Sequence, residues 1–95
     1  MIARSEKKMI EKLAEIKNTE VKKDYIVADF FAMKTIEEYE ESIASKLKDK
    51  DVALLFLNAG VGQVGAFWEV PAKRLEYVMS IKALHPMYTA KVLVN

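Results

Sequence analysis

Apolar positions recur at three- and four-residue spacing over two stretches of this chain. Met9, Leu13 and Ile16, flanked by Ile10 and Ala14, form one such stripe, with lysines and glutamates on the other positions. The pattern predicts an amphipathic helix from Ser5 to about Asn18, with Ser5 as its N-cap and Glu6 well placed against the helix dipole. A second stripe, Ile36, Tyr39, Ile43 and Leu47, predicts a helix from about Thr35 to about Lys48. Its acids (Glu37, Glu38, Glu40, Glu41) lie toward the start and its lysines (Lys46, Lys48, Lys50) toward the end. The macrodipole favours that order, so the charge run reads as a solvated helix face rather than an acidic binding site.

Outside these two stretches, as far as Trp68, the helical period is lost. Met1-Ile2-Ala3 is a short apolar stub closed by Arg4-Ser5, and the stretch from Val21 to Ala28 has Tyr25-Ile26-Val27-Ala28 as its apolar part and Asp29 as its end. Both read as strands. Val52 to Leu57 is six apolar residues without alternation, bounded by Asp51 and by an Asn58-Ala59-Gly60 turn. Such a run suits a strand covered on both faces, as in a parallel sheet between helices. The three glycines of the chain, Gly60, Gly62 and Gly65, fall together and mark a loop as far as Trp68. Pro71 then opens a long helix whose inner stripe is drawn through Leu75, Val78, Met79, Lys82, Pro86, Thr89 and Leu93, with a kink expected at Pro86. The order β-α-β-α-β-loop-α is that of an α/β fold.

Composition narrows the chemistry. At 95 residues the chain is expected to form one small domain spanning 1–95. A net charge of +1, with basic and acidic residues interleaved, offers no electrostatic footprint for nucleic acid. Without cysteine there is no disulfide or thiolate chemistry, and with His85 as the single histidine a zinc site would have to be mostly carboxylate. No signal peptide and no membrane-spanning run is visible. A lone histidine in an apolar helix reads as a packed or surface residue rather than a base.

Taken together, these features resemble the short-chain dehydrogenase/reductase family. The features are Arg4-Ser5 ending the first strand, Asp29 ending the second, Asn58-Ala59-Gly60 after the third, and the helix lengths between them. More narrowly, Ile2-Ala-Arg-Ser-Glu-Lys-Lys8, Ile26-Val-Ala-Asp-Phe30 and Leu57-Asn-Ala-Gly-Val-Gly62 are similar to the branch of steroid 17-beta-dehydrogenases and very-long-chain 3-oxoacyl-CoA reductases. The resemblance covers essentially the whole chain but only an internal slice of the family's length. It implies a partial Rossmann-like, doubly wound parallel sheet that lacks its first strand and its catalytic half.

The resemblance also implies roles. Arg4 would face the adenosine 2′-phosphate of NADP, Ser5 would touch the same phosphate, Asp29 would sit beside the adenine with Phe30 following at the rim, and Asn58, Ala59 and Gly60 would form the turn supporting the cofactor. Leu57 stands where the family has its first asparagine, and Lys82 where it has one in the long helix. The phosphate-cradling glycine motif would precede this chain, and the serine and Tyr-x-x-x-Lys pair would follow residue 95. Tyr88-Thr-Ala-Lys91 has a spacing of three rather than four, so it is not that pair.

The implied function is therefore part of an NADP(H)-dependent oxidoreductase for a ketone or hydroxyl of a steroid or fatty-acyl substrate, keeping part of the adenosine pocket and not catalytic alone. Relatives place it in the cytoplasm or on the endoplasmic reticulum. With its middle strand missing, such a sheet would self-associate or be completed by a partner chain. Trp68 would lie in the loop beside the pocket. Two other readings stay open: a non-catalytic interaction or structural subunit on the same scaffold, and an unrelated small α/β binding domain.

Overall fold

The computed structural model describes residues 1–94. Strand β1 (Ile2–Ala3) and strand β2 (Ile26–Val27) pair in parallel, Ile2 opposite Ile26 and Ala3 opposite Val27. The Ile26 and Ala28 amides donate to the Met1 and Ala3 carbonyls, both at 2.9 Å. Parallel strands need a crossover, and helix α1 (Glu6–Ala14) is part of it. Ser5 caps α1 as its sequence position predicts, its hydroxyl accepting from the Lys8 amide at 3.4 Å. The Tyr25 hydroxyl donates to Glu6 at 2.8 Å and ties the first turn of α1 to the approach to β2. This helix stops four residues short of Asn18. Of its stripe only Met9 is buried, while Ile10 and Ile16 are 51% and 41% exposed, so little packs against its far end.

Helix α2 (Ile36–Ser42) begins with a complete capping box: Thr35 accepts from the Glu38 amide, and Glu38 reaches back to the Thr35 amide at 2.9 Å. The predicted helix to Lys48 instead breaks at Ile43 and continues as a 3₁₀ turn, Ala44–Leu47. Past a short 3₁₀ turn at Phe67–Glu69 comes a continuous helical rod. It consists of α3 (Ala72–Met79), a π-helical segment Ser80–Leu84, and α4 (His85–Leu93). Where a kink was expected at Pro86, the structure has this π segment immediately before it. Proline lacks an amide and crowds the carbonyl four residues earlier, and the wider π turn, with His85 bonding back to Ser80, makes room.

The core lies where the strand pair, α2 and the rod meet. Tyr39 and Ile43 are fully buried, joined by Ile26, Ala28, Phe30, Met33 and Ile81. Phe30 stacks on His85 with ring centroids 3.5 Å apart, and Tyr39 meets Tyr88 edge-on at 5.4 Å. The rod's buried stripe is thus Tyr77, Ile81, His85, Tyr88 and Val92, with Ser80 and Thr89 alongside. Of the expected stripe, Thr89 is buried and Leu93 packs against the core, whereas Met79 and Lys82 are exposed.

The doubly wound sheet is not formed among the described residues. They hold two short parallel strands among helices, and Val52–Leu57, expected as the central strand, runs without strand pairing. All of residues 51–60 are exposed, Leu54 and Phe56 at 77% and 83%. A buried strand needs hydrogen-bonded neighbours of matching length, and two strands of two residues each do not supply them. Nor does Asn58-Ala59-Gly60 form a turn. The Cα radius of gyration, 15.2 Å, reflects this unpacked stretch: a compact chain of this length is expected near ~12 Å.

Candidate functional site

Because β1 and β2 are parallel and in register, their C-terminal ends lie side by side, and with them the residues that follow: Arg4 after β1, and Ala28, Asp29 and Phe30 after β2. A cleft of about 200 Å³ opens there. Its walls are Ile2, Ala3, Arg4, Ala28, Asp29 and Phe30 on the strand side, Ala59, Gly60 and Val61 from the loop, and Tyr77 and Ile81 from the rod. The lining is mostly apolar, and its charged members are one cation, Arg4, and one anion, Asp29.

Of the seven residues singled out in the sequence, five line this cleft: Arg4, Asp29, Phe30, Ala59 and Gly60. Ser5 sits next to it with its hydroxyl committed to capping α1. Asn58 is exposed and outside the lining. Arg4 is exposed and makes no hydrogen bond or ion pair among the described residues. Asp29 has a structural task as well, since its Oδ1 accepts from the Phe31 amide at 3.0 Å and its carbonyl accepts from Ala32 and Met33. This is an Asx turn that ends β2. Phe30 does not stand at the rim: it is 7% exposed and belongs to the core through its stack on His85. Gly60 has neither a positive φ nor a crowded Cβ direction, whereas Gly65, farther along the loop, has φ +122°.

The sequence reading missed what supports the far wall. The Arg74 side chain donates from Nε to Gln63 at 2.7 Å and from Nη2 to the Gly62 carbonyl at 2.8 Å, which pins the glycine loop to α3. Its guanidinium also lies 5.0 Å from the Tyr77 ring, which meets Phe31 edge-on at 5.1 Å, and Lys34 Nζ lies 3.8 Å from the Phe31 ring centroid. Lys34 Nζ in turn donates to Ser80 Oγ at 3.0 Å. Two rings meeting edge-on are thus flanked by a cation on each side, which fixes the orientation of Tyr77 at the cleft. The i, i+3 pairs Phe31/Lys34 and Arg74/Tyr77 are the only local trace of this in the sequence.

The expected decoys are structural. His85 is 4% exposed, and its Nδ1 lies 3.0 Å from the Thr89 hydroxyl, so it is a packed histidine. Tyr88 packs on Tyr39, while Lys91 points to solvent on an exposed position. Trp68 is 85% exposed and outside the cleft lining, so it does not flank the pocket as expected.

The cleft is too small for the whole of the cofactor that the resemblance implies. Its size falls below the ~300–1,000 Å³ typical of sites that enclose a whole organic ligand. Among the described residues there is no group of three or more histidine, cysteine, aspartate or glutamate side chains that could hold a metal ion, and no helix is long and apolar enough to cross a membrane. Comparison with known proteins finds no matching family model, no matching curated protein and no matching solved structure.

Proposed function

We propose that this chain is a nucleotide-binding, non-catalytic segment whose cleft takes the adenosine 2′-phosphate end of NADP(H). The observation that carries this reading is the convergence of Arg4, Asp29 and the Ala59–Val61 stretch on one small apolar cleft at the ends of two parallel strands. In that pose the base lies between the Ala28–Asp29 edge and Tyr77, the free Asp29 oxygen accepts from an exocyclic amine, and Arg4 pairs with the 2′-phosphate. A guanidinium matches phosphate oxygens in a two-pronged fork, which a 2′-hydroxyl cannot reciprocate. The resemblance to short-chain dehydrogenases supports the same pose. By that resemblance the larger activity would be hydride transfer to or from a ketone or hydroxyl of a steroid or fatty-acyl substrate. NADP would supply the hydride chemistry, and this chain's own residues would hold and orient the adenosine end.

The exposed apolar stretch at Val52–Leu57 supports a second element of the reading, a further polypeptide that covers it. Calorimetric titration with adenosine 2′,5′-bisphosphate and with 5′-AMP tests the nucleotide site. The 2′-phosphorylated ligand is expected to bind about tenfold to a hundredfold more tightly, the range that a charge-assisted contact of about 1.5–3 kcal/mol supplies. Arg4→Ala should bring the two affinities together. Absence of saturable binding by either ligand, or an unchanged preference in Arg4→Ala, would refute the reading.

A further inference from the structure

We infer that the loop carrying Val52–Leu57 is a self-association surface: the segment pairs antiparallel, about a twofold axis, with the same segment of a second copy of this chain. This names the polypeptide that the reading above leaves open, and it does not depend on the nucleotide site.

The segment is six residues long, wholly apolar, exposed and without a strand partner among the described residues, the combination that soluble proteins avoid on an open edge. Exposure peaks at Leu54 and Phe56, at 77% and 83%, while Val52, Leu55 and Leu57 are less exposed, at 38%, 36% and 39%. Side chains two apart share a face, so Val52, Leu54 and Phe56 line one side of an extended strand.

A twofold axis normal to a strand pair keeps each residue on its own face, so it must pass through a residue position. Placed at Leu54, it sets Leu54 against its twin and Val52 against Phe56 of the second copy, an aromatic and β-branched pair of the favourable kind. Charge selects the direction. Lys48, Asp49, Lys50 and Asp51 precede the segment, while Asn58, Ala59 and Gly60 follow it. Antiparallel pairing sets that charged flank against the neutral one, whereas parallel in-register pairing would stack each charge on its like.

Further exposed apolar residues of the same loop add to the area available for pairing. Phe56, Phe67 and Trp68 are 83%, 74% and 85% exposed. At about 200 Å² apiece these three residues offer roughly 450–500 Å². Leu54 and Val64, at 77% and 93% exposed, bring the loop close to what a stable dimer needs. That requirement is roughly 800 Å² from each partner.

Sedimentation equilibrium of the full chain over a concentration series tests this. The wild type should pass, with increasing concentration, from 10.8 kDa to twice that mass and no further. Leu54 is exposed in the single chain, so Leu54→Lys and Leu54→Glu should keep the wild-type circular dichroism, yet each alone should stay at 10.8 kDa because like charges meet on the axis. An equimolar mixture of the two variants should recover the doubled mass. A wild type that stays monomeric, which would leave the segment to some other polypeptide, overturns the inference. So do variants that dimerise unimpaired, or a mixture that fails to recover the dimer. Adenosine 2′,5′-bisphosphate binding by the monomeric variants is read separately, so failure of one proposal leaves the other standing.

Discussion

His85 is the single histidine, and it is buried in the centre of the core, which makes the pH dependence of stability unusually easy to assign. Its ring stacks 3.5 Å from Phe30, lies 6.4 Å from Tyr39, and shares a hydrogen bond with Thr89; no carboxylate is among these contacts. Burial therefore holds its pKa below the ordinary value of 6.5. The unfolded chain binds the proton more readily than the folded one, so the contribution is fully present above the unfolded value and is lost as pH falls through and below it. The slope is at most about 1.36 kcal/mol per pH unit. For a proton kept wholly out of the fold, the loss between pH ~6.5 and ~5.5 is about 1 kcal/mol. In urea that is a midpoint shift of about 0.3–1 M.

Glu38, the acid whose titration the fold shifts, lies outside this window. It is held below its ordinary value of 4.5 by the backbone amides of Lys34 and Thr35, so any loss from it comes at still lower pH. Urea titrations of the wild type and His85→Gln at several pH values from neutral to mildly acidic provide the assay. The wild type should lose stability across the window, and the variant, although weaker at neutral pH, should not. A flat wild-type profile, or the same slope in His85→Gln, would refute the assignment of a buried, neutral His85.

Two further perturbations probe the same core. Burial pushes the Tyr39 pKa up to about 12, and its hydroxyl has no hydrogen-bond partner among the described residues, so Tyr39→Phe should stabilise the fold. A gain of about 1 kcal/mol, read as a Tm higher by about 4–8 °C, is expected from removing an unsatisfied polar group; a lower Tm would show that the hydroxyl is bonded in solution. Thr35→Ala removes one half of the capping box of α2 and should cost about 0.5–2 kcal/mol in a urea titration, since α2 carries Tyr39 and Ile43 into the core. A cost near zero would mean that α2 does not depend on that cap.

What the sequence made legible was local. Ser5 and Thr35 announce their helix starts because capping needs only a side-chain oxygen and an amide two or three residues on. The parallel pair Ile2–Ala3 and Ile26–Val27, and hence the meeting of Arg4 with Asp29, followed from two apolar stubs joined by a helix. What failed depended on partners. Six apolar residues from Val52 to Leu57 state a preference for burial but not which strand will pair with them, and no such strand is formed. The rod's inner face was drawn one position off along its whole length: Tyr77, Ile81, His85, Tyr88 and Val92 each stand one residue before a position chosen for the stripe, in a helix whose apolar residues fit either phase. Phe30 was placed at the rim because it follows Asp29 in sequence, yet its stack on His85, 55 residues away, pulls it inward. The Lys34–Phe31–Tyr77–Arg74 series could not be foreseen either, since it joins segments that only the tertiary fold brings together.

The nucleotide reading is tested most directly by backbone amide chemical-shift mapping of the ¹⁵N-labelled chain during titration with adenosine 2′,5′-bisphosphate. Saturable shifts should concentrate at Arg4, Ser5, Asp29, Phe30, Gly60 and Val61 and extend to Tyr77 and Ile81, the residues at and around the cleft. No saturable shift, or shifts centred on the Lys48–Lys50 surface instead, would contradict it.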